Sequence, residues 1–390
     1  MKAVTVDIEN FRNHTKTTLV CAEGVNAIIG DNGQGKTNIV EAISYLCLTK
    51  SFYASGDAVT LKIGAEQFSI CGSFESDGGV QRRVEALYVK GPGQKSIFIN
   101  GIPVETMSAV IGELPVVILS PEQAGITNGA PTERRKFLDL VIAQSSKVYL
   151  QELLEYRKIL RQRNKILLDA KLARRDCSKI LEPWNEALVE TGSRLAQRRL
   201  LFIREFSRDI IQSYEIVAGK GELPGINYEP SVSIESAESI EATKRAFAEE
   251  LQLKEGEERR LGVTTVGPHR DEVGLSINGI NVRKFASQGQ HKTMLIALKL
   301  AEVAYLKERC VETPILLLDD VFSELDEHRS ERLVEQLQGL GQVFVTATDL
   351  RAFPSQFPWS KKNQTFTVSA GRVTATIERK SHHAAAGAGN

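Results

Sequence analysis

"VNAIIGDNGQGKTNIVEAISYL", residues 25–46, is the stretch whose reading decides the fold class. Val25 to Gly30 is a short apolar run of the buried-strand kind, and from Thr37 the apolar spacing becomes helical. Between them, Gly30 to Thr37 fits the pattern G-x-x-x-x-G-K-[ST]. The pattern carries weight here because a strand precedes it and a helix follows it. Gly30, Gly33 and Gly35 let the backbone curl and turn its N–H groups inward, where with the helix N-terminus they suit an anionic phosphate. Lys36 places a positive charge for the β and γ oxygens, and the Thr37 hydroxyl suits Mg²⁺. Asn32, Gln34 and Asn38 complete the candidate nucleotide loop. The loop points to a nucleoside triphosphate, but alone it does not separate kinase, transporter, GTPase and motor.

A second anchor is "PILLLDDVFSELD", residues 314–326. Ile315 to Leu318 is a continuous apolar run, as in a central parallel strand. Asp319 and Asp320 follow at its carboxyl end, where open α/β sheets bind ligands. Neighbouring strand residues point to opposite faces. Asp319 is therefore assigned to the metal, and Asp320 to orienting or activating a water in line with the γ-phosphate. Lys36 and Asp320 are the candidate catalytic pair.

Around these anchors the chain falls into pieces. Residues 1–130 read as strand-rich with one helix: "KAVTVDI" alternates with period two, "LPVVILS" is a buried strand, and Asn100-Gly101 marks a hairpin. From Pro131-Thr132 to about 261 helical spacing dominates, with Leu138, Val141 and Ile142 as an apolar stripe. From 262 to 380 strands return, with a second hairpin signal at Asn278-Gly279, a helix over about 289–309, another over about 327–339 and the strand "QVFVTAT". Residues 381–390 are expected to be a disordered tail, His382 and His383 included. The expected architecture is α/β: a head assembled from both chain ends, with a mostly helical second domain inserted.

Composition narrows the function. The 390 residues carry 49 Lys and Arg against 49 Asp and Glu, which excludes a uniformly basic nucleic-acid coat but not a local patch. Residues 151–180 hold nine bases and four acids, net +5, while 231–258 hold three bases and eight acids, net −5. The densest basic candidates for phosphate contact are Arg157, Arg161, Arg163, Lys165, Lys171, Arg174 and Arg175, with Arg134 and Arg135 as alternatives. No base-reading motif is visible, so contact through backbone and shape is expected. The five cysteines are scattered without a Cys-x-x-Cys pair, which argues against a disulfide framework or a structural zinc. No apolar run reaches the ~20 residues of a membrane helix. A cytoplasmic location is expected.

The stretch "FASQGQHKT", residues 285–293, sets Ser-Gln-Gly-Gln before a long apolar helix pattern. A phosphate loop, then Ser-x-Gly-Gln at a helix start, then two acids after an apolar strand, then Ser-Glu-Leu-Asp: this order resembles the ABC-type ATPase family. Within it, "NFRNH" (10–14), "GDNGQGKTNIVEAI" (30–43), "SPEQ" (120–123), "RRKFLD" (134–139), "GPHRDE" (267–272), "SQGQHK" (287–292) and "ILLLDDVFSELD" (315–326) resemble blocks of the RecF family, in that family's order. The likeness covers all but about the last ten residues.

The resemblance implies a P-loop ATPase head of the ABC type, with ATP and Mg²⁺ as cofactors. It implies that Arg12 and Asn13 lie close to the nucleotide. It also implies that Ser287, Gly289, Gln290 and Asp326 reach the γ-phosphate held by a second copy, the loop Ser323–Asp326 crossing the interface. It implies an ATP-dependent homodimer that binds duplex DNA near single-strand gaps, works with RecR and RecO to load RecA, and hydrolyses ATP weakly as a switch. Glu122 and Gln123 both remain candidates for sensing Mg²⁺. Where transporters carry a switch histidine, this chain offers Thr346, Thr348 and Asp349. A transporter subunit fits poorly because the insertion before the signature is too long. An SMC-type structural ATPase needs far longer arms than two helices of about 40 residues, ~60 Å each. A small-molecule kinase leaves Ser287-x-Gly-Gln unexplained.

Overall fold

In the computed structural model the described residues are 1–54, 56–234, 239–322, 327–337, 339–353, 357 and 359–376. The chain forms β1 (Lys2–Phe11), β2 (His14–Val20), β3 (Val25–Ile29), α1 (Lys36–Leu48), α2 (Asp57–Thr60), β4 (Gln67–Glu75), β5 (Gln81–Val89), β6 (Gln94–Ile99), β7 (Ile102–Pro103) and β8 (Val116–Leu119). Then follow α3 (Gly125–Asn128), α4 (Pro131–Ser145), α5 (Lys147–Ala173), α6 (Ser178–Ala218), β9 (Pro224–Glu229), α7 (Ile240–Leu261), β10 (Glu272–Ile277), β11 (Ile280–Asn281), α8 (Val282–Phe285) and α9 (Gln288–Arg309). The last elements are β12 (Ile315–Leu318), α10 (Glu327–Leu337), β13 (Val343–Ala347), β14 (Gln364–Ser369) and β15 (Arg372–Thr376). No described helix is long and apolar enough to cross a membrane.

These elements divide into two compact units. One comprises residues 1–104 and 315–390, the other 105–314. The division differs from the boundaries near 130/131 and 261/262 read from the sequence. Residues 262–314 join the helical unit because β10 pairs antiparallel with β9, and α9 packs along α6.

The first unit is two sheets around one helix. The antiparallel sheet runs β2-β1-β4-β5-β6-β7. Its strands alternate buried and exposed positions, as a half-covered sheet requires. Asn100 and Gly101, both at positive φ (52° and 80°), turn β6 into β7. In the second sheet β15-β14-β3-β13-β12 are neighbours, with β14, β3, β13 and β12 parallel. Strands β3, β12 and β13 are buried almost end to end, which explains their unbroken apolar runs. Helix α1 is apolar on nearly every face because it packs against β1, β4 and β5 on one side and β12 and β13 on the other. Register places Leu318 opposite Val345, and Ile29 opposite Ala347, so the carboxyl ends of β3, β12 and β13 lie together.

The second unit is built along α6, 41 residues long, which packs against α4, α5, α7, α9 and β9. Strand β9 was not legible in the sequence. It begins Pro224-Gly225, which reads as a turn signal, and its partner β10 lies over 40 residues further on. A buried ion pair ties the helices together. Arg163 of α5 donates to Glu258 of α7 (2.6 Å), Asn185 of α6 (2.8 Å) and Thr264 (2.8 Å).

Candidate functional site

The phosphate loop leaves β3 and enters α1 through Gly35, at φ 109°, with no side chain capping the helix. A Cβ there would lie 2.4 Å from the Asn13 side-chain oxygen, so only glycine fits. Asn13 is part of the loop's frame. Its Nδ2 donates to the Gln34 carbonyl (2.9 Å), and its Oδ1 accepts from Asn38 Nδ2 (2.8 Å). Fully buried His14 adds a third brace at Gly35 O (3.0 Å). A carbonyl only accepts, so Nε2 carries the proton and Nδ1 accepts from the Thr17 hydroxyl (2.9 Å). Burial lowers the His14 pKa, which favours that neutral form. The β14–β15 turn closes the frame: Ala370 N donates to Gln34 Oε1 (2.5 Å) and Gly371 N to Gln34 O (3.0 Å). Asn32 and Gly33 form the exposed crest.

Lys36 is buried, and its ammonium donates to the carbonyls of Gly30 (2.6 Å) and Asp31 (2.9 Å). Burial lowers its pKa, while the charges of Asp320, Asp319 and Asp31 pull it up. The Thr37 hydroxyl meets both oxygens of Asp319, at 2.9 and 3.0 Å. Asp319 Oδ1 also accepts from Thr346 (2.7 Å) on the adjoining strand. Burial raises the Asp319 pKa, opposed by the hydrogen bonds from Thr346 and Thr37. A hydroxyl and a buried carboxylate beside an uncapped helix N-terminus are a donor set that fits Mg²⁺ and a nucleotide phosphate. Among the described residues no cluster of three or more His, Cys, Asp or Glu offers an all-protein metal cage.

Strand β12 ends at Leu318, so the two acids are not separated by strand alternation as expected. Asp320 sits at φ 52°, in the left-handed region, and its N–H donates to Thr346 Oγ1 (2.9 Å). A turn, not a pleat, sets the backbone between the two acids. Thr346, offered with Thr348 and Asp349 in place of a switch histidine, instead joins the two acids: its hydroxyl donates to Asp319 and accepts from Asp320 N. Arg12 is engaged bidentately with Glu41 of α1 (2.9 and 2.7 Å) and with the Val59 carbonyl (3.2 Å). It flanks α1 one turn beyond Thr37. Glu41, which anchors it, carried no signal in the sequence beyond an acid inside a buried helix.

The second unit carries the other candidates. Ser287 is the N-cap of α9 in a complete capping box: Ser287 Oγ accepts from Gln290 N (3.2 Å), and Gln290 Oε1 accepts from Ser287 N (2.9 Å). Gly289 lies in the first turn. Gln123 Oε1 is buried without a hydrogen-bond partner among the described residues, whereas Glu122 is exposed. Ser323 and Asp326, with the rest of that loop, lie outside the described residues, as does the tail 381–390 with His382 and His383.

The basic candidates separate by burial. Arg134 is 4% exposed and paired bidentately with Glu272 (2.9 and 3.0 Å), so its assignment to DNA is corrected: it braces α4 against β10. Arg163, 1% exposed in the helix-tying network, is corrected likewise. A buried, fully paired guanidinium cannot reach a phosphate without breaking its own pair. Arg135 is partly buried on the Asp271 carbonyl (2.6 Å), and half-exposed Arg157 pairs with Asp139 (3.2 Å). Arg161, Lys165, Lys171, Arg174 and Arg175 are exposed. Lys171, Arg174 and Arg175 line one cavity of about 290 Å³ with Arg259 and Arg260. The latter pair, distant in sequence, was missed.

Residues 3–357 match the family model of the RecF/RecN/SMC N terminal domain. The chain is 41% identical over 356 residues to the DNA replication and repair protein RecF of Chloroherpeton thalassium, covering 90% of this chain and 96% of that protein. It is 37% identical over 377 residues to the protein of the same description from Salinibacter ruber, covering 96% and 91%. Among solved structures it is similar to the recombination mediator protein RecF-ATP in the RecFOR pathway, with TM-score 0.88, 31% identity and coverage of 96% and 97%. An SMC head bound to the C-winged helix domain of ScpA shares the fold alone, with TM-score 0.55 and 14% identity.

Proposed function

The chain belongs to the RecF family within the RecF/RecN/SMC group of proteins, and from that premise we propose that it is an ATP-switched, DNA-binding recombination mediator. ATP sits with its phosphates at the N-terminus of α1, cradled by Gly30 to Asn38 and answered by Lys36. Thr37 and Asp319 hold Mg²⁺. Of the neighbours Glu122 and Gln123, the family resemblance assigns the sensing of the metal to Gln123. Asp320 orients the attacking water. Asn13 frames the loop beside the nucleotide, with Arg12 next to it.

A second copy presents Ser287, Gly289 and Gln290, together with Asp326, to the γ-phosphate, so ATP joins two chains and slow hydrolysis parts them. The dimer holds duplex DNA near single-strand gaps through exposed bases among Arg135, Arg157, Arg161, Lys165, Arg174 and Arg175. It acts in the cytoplasm with RecR and RecO to load RecA. Contacts to phosphate give little sequence preference and a steep salt dependence. Helix α6, about 60 Å long at 1.5 Å per residue, is too short for the arms of a structural SMC protein.

The observation that carries this reading is the meeting of Thr37 with Asp319 beside the uncapped N-terminus of α1. The test is particle mass by light scattering, with and without ATP and gapped DNA, for wild type and Ser287→Arg. Wild type doubles in mass with ATP. Ser287→Arg binds ATP as a monomer and stays one. Loss of monomer ATP binding in Ser287→Arg overturns the assignment of this loop to the second copy's nucleotide.

A further inference from the structure

The Gln290 side chain is held at both ends. Its Oε1 accepts from Ser287 N (2.9 Å), and its Nε2 donates to Glu222 Oε1 (2.7 Å). An amide can flip, and only one orientation completes the capping box. A carboxylate has no donor, so Glu222 can bind only the NH₂ end of Gln290. That selects the orientation in which Oε1 faces Ser287. Glu222 is itself fixed. Its other oxygen accepts from the Tyr214 hydroxyl of α6. The next residue is locked to the β10–β11 hairpin by a reciprocal pair: Leu223 N to Asn278 Oδ1 (2.8 Å) and Asn278 N to Leu223 O (2.8 Å).

We propose that Glu222 is a positioning residue for the signature loop: held by Tyr214, it orients Gln290 and thereby fixes Ser287 for the phosphate of a second copy. The inference rests on the assignment of Ser287 to that phosphate. It gives α6 a three-residue route, Tyr214–Glu222–Gln290, into the loop. Ser287 Oγ already accepts from Gln290 N, so its hydroxyl hydrogen is what remains to offer, and its direction depends on how firmly the cap is held.

The experiment uses the full chain. ATP-driven dimerisation is measured by sedimentation, beside fluorescent-ATP affinity of the monomer and thermal melting. Glu222→Ala weakens dimerisation about tenfold, the effect of one charge-assisted hydrogen bond, and Gln290→Ala at least as much. Monomer affinity is unchanged. The double variant is no weaker than Gln290→Ala, because Glu222 acts through Gln290. Glu222→Gln, whose single oxygen serves both Tyr214 and Gln290 and whose NH₂ end also pairs with the flipped amide, recovers only part of the loss. Tyr214→Phe, which keeps the core volume, shows a smaller loss and replaces Glu222→Ala as the test if that variant melts early. Additive effects in the double variant, or normal dimerisation in Glu222→Ala and Tyr214→Phe while Ser287→Arg is blocked, overturn the positioning role alone. Normal dimerisation in Ser287→Arg overturns the assignment beneath it.

Discussion

Helices α1 and α9 both begin with glycine and small polar residues, yet their N-termini are built in opposite ways. Gly35 caps α1 with backbone only, in a conformation other residues resist. The first N–H groups of α1 are thus aimed outward, an anion site made of main chain. Ser287 and Gln290 cap α9 reciprocally, and Glu222 fixes the cap. There the backbone donors are partly used within the protein, and the Ser287 hydroxyl is the feature on offer. The first arrangement suits tight holding of a charged group. The second suits a directional contact made only when another molecule brings a phosphate to it.

Four measurements test these assignments. The largest effect is expected at Asp320→Asn. It lowers ATP turnover about 10³-fold, as loss of a general base does, while ATP-bound dimer accumulates in sedimentation. Asparagine tolerates φ 52°, so the fold is kept. Turnover at the wild-type rate removes Asp320 from the chemistry.

Acid acts next on the unit that carries α9. His269 donates from Nε2 to Thr264 O (3.1 Å) and accepts at Nδ1 from the Tyr156 hydroxyl (2.7 Å), and burial pushes its pKa down to about 4. The folded state resists a proton that the unfolded chain accepts near 6.5. Its stabilisation is complete above that pH and is lost as pH falls toward 4, up to about 3 kcal/mol. Urea melts of Trp359→Phe, read by Trp184 of α6, should show this loss. His269→Asn should flatten it.

Third, Lys36→Ala weakens fluorescent-ATP binding about 100-fold, or about 2.7 kcal/mol, and leaves the melting of the α9 unit unchanged. Undiminished affinity means that the phosphates lie elsewhere. The smallest effect is at the capped helix. Ser287→Ala costs about 1 kcal/mol of stability and weakens dimerisation. Ser287→Asp restores the cap but sets a negative charge against phosphate, so it melts like wild type and stays monomeric with ATP. A dimer in Ser287→Asp would mean that this helix end meets no anion.

Much of the site was legible because its signals are short. Gly35, Lys36 and Thr37 act within one turn, and the pattern of residues fixes their backbone. The same holds for Pro131 at the start of α4 and for the two Asn-Gly hairpins. The basic run on α5 was misread in part for the opposite reason. Arg161 and Arg163 look alike in sequence, but a turn of 100° per residue puts the second in the core beside Glu258, an acid from the oppositely charged run. Net charge of a segment does not say which of its charges are already matched.

The family was readable in the sequence from short local patterns: a phosphate loop, two acids after an apolar strand, and a small polar loop before α9, in the order of one family. Tertiary structure decided the partnerships. Thr37 and Asp319 are 282 residues apart and meet because parallel register brings two strand ends together. Thr346 holds both acids, Glu41 holds Arg12, His14 braces Gly35, and Glu222 orients Gln290. Local conformation depends on neighbours a few bonds away, so it is written in short patterns. A hydrogen bond between distant residues depends on how whole elements pack, and no short pattern contains that.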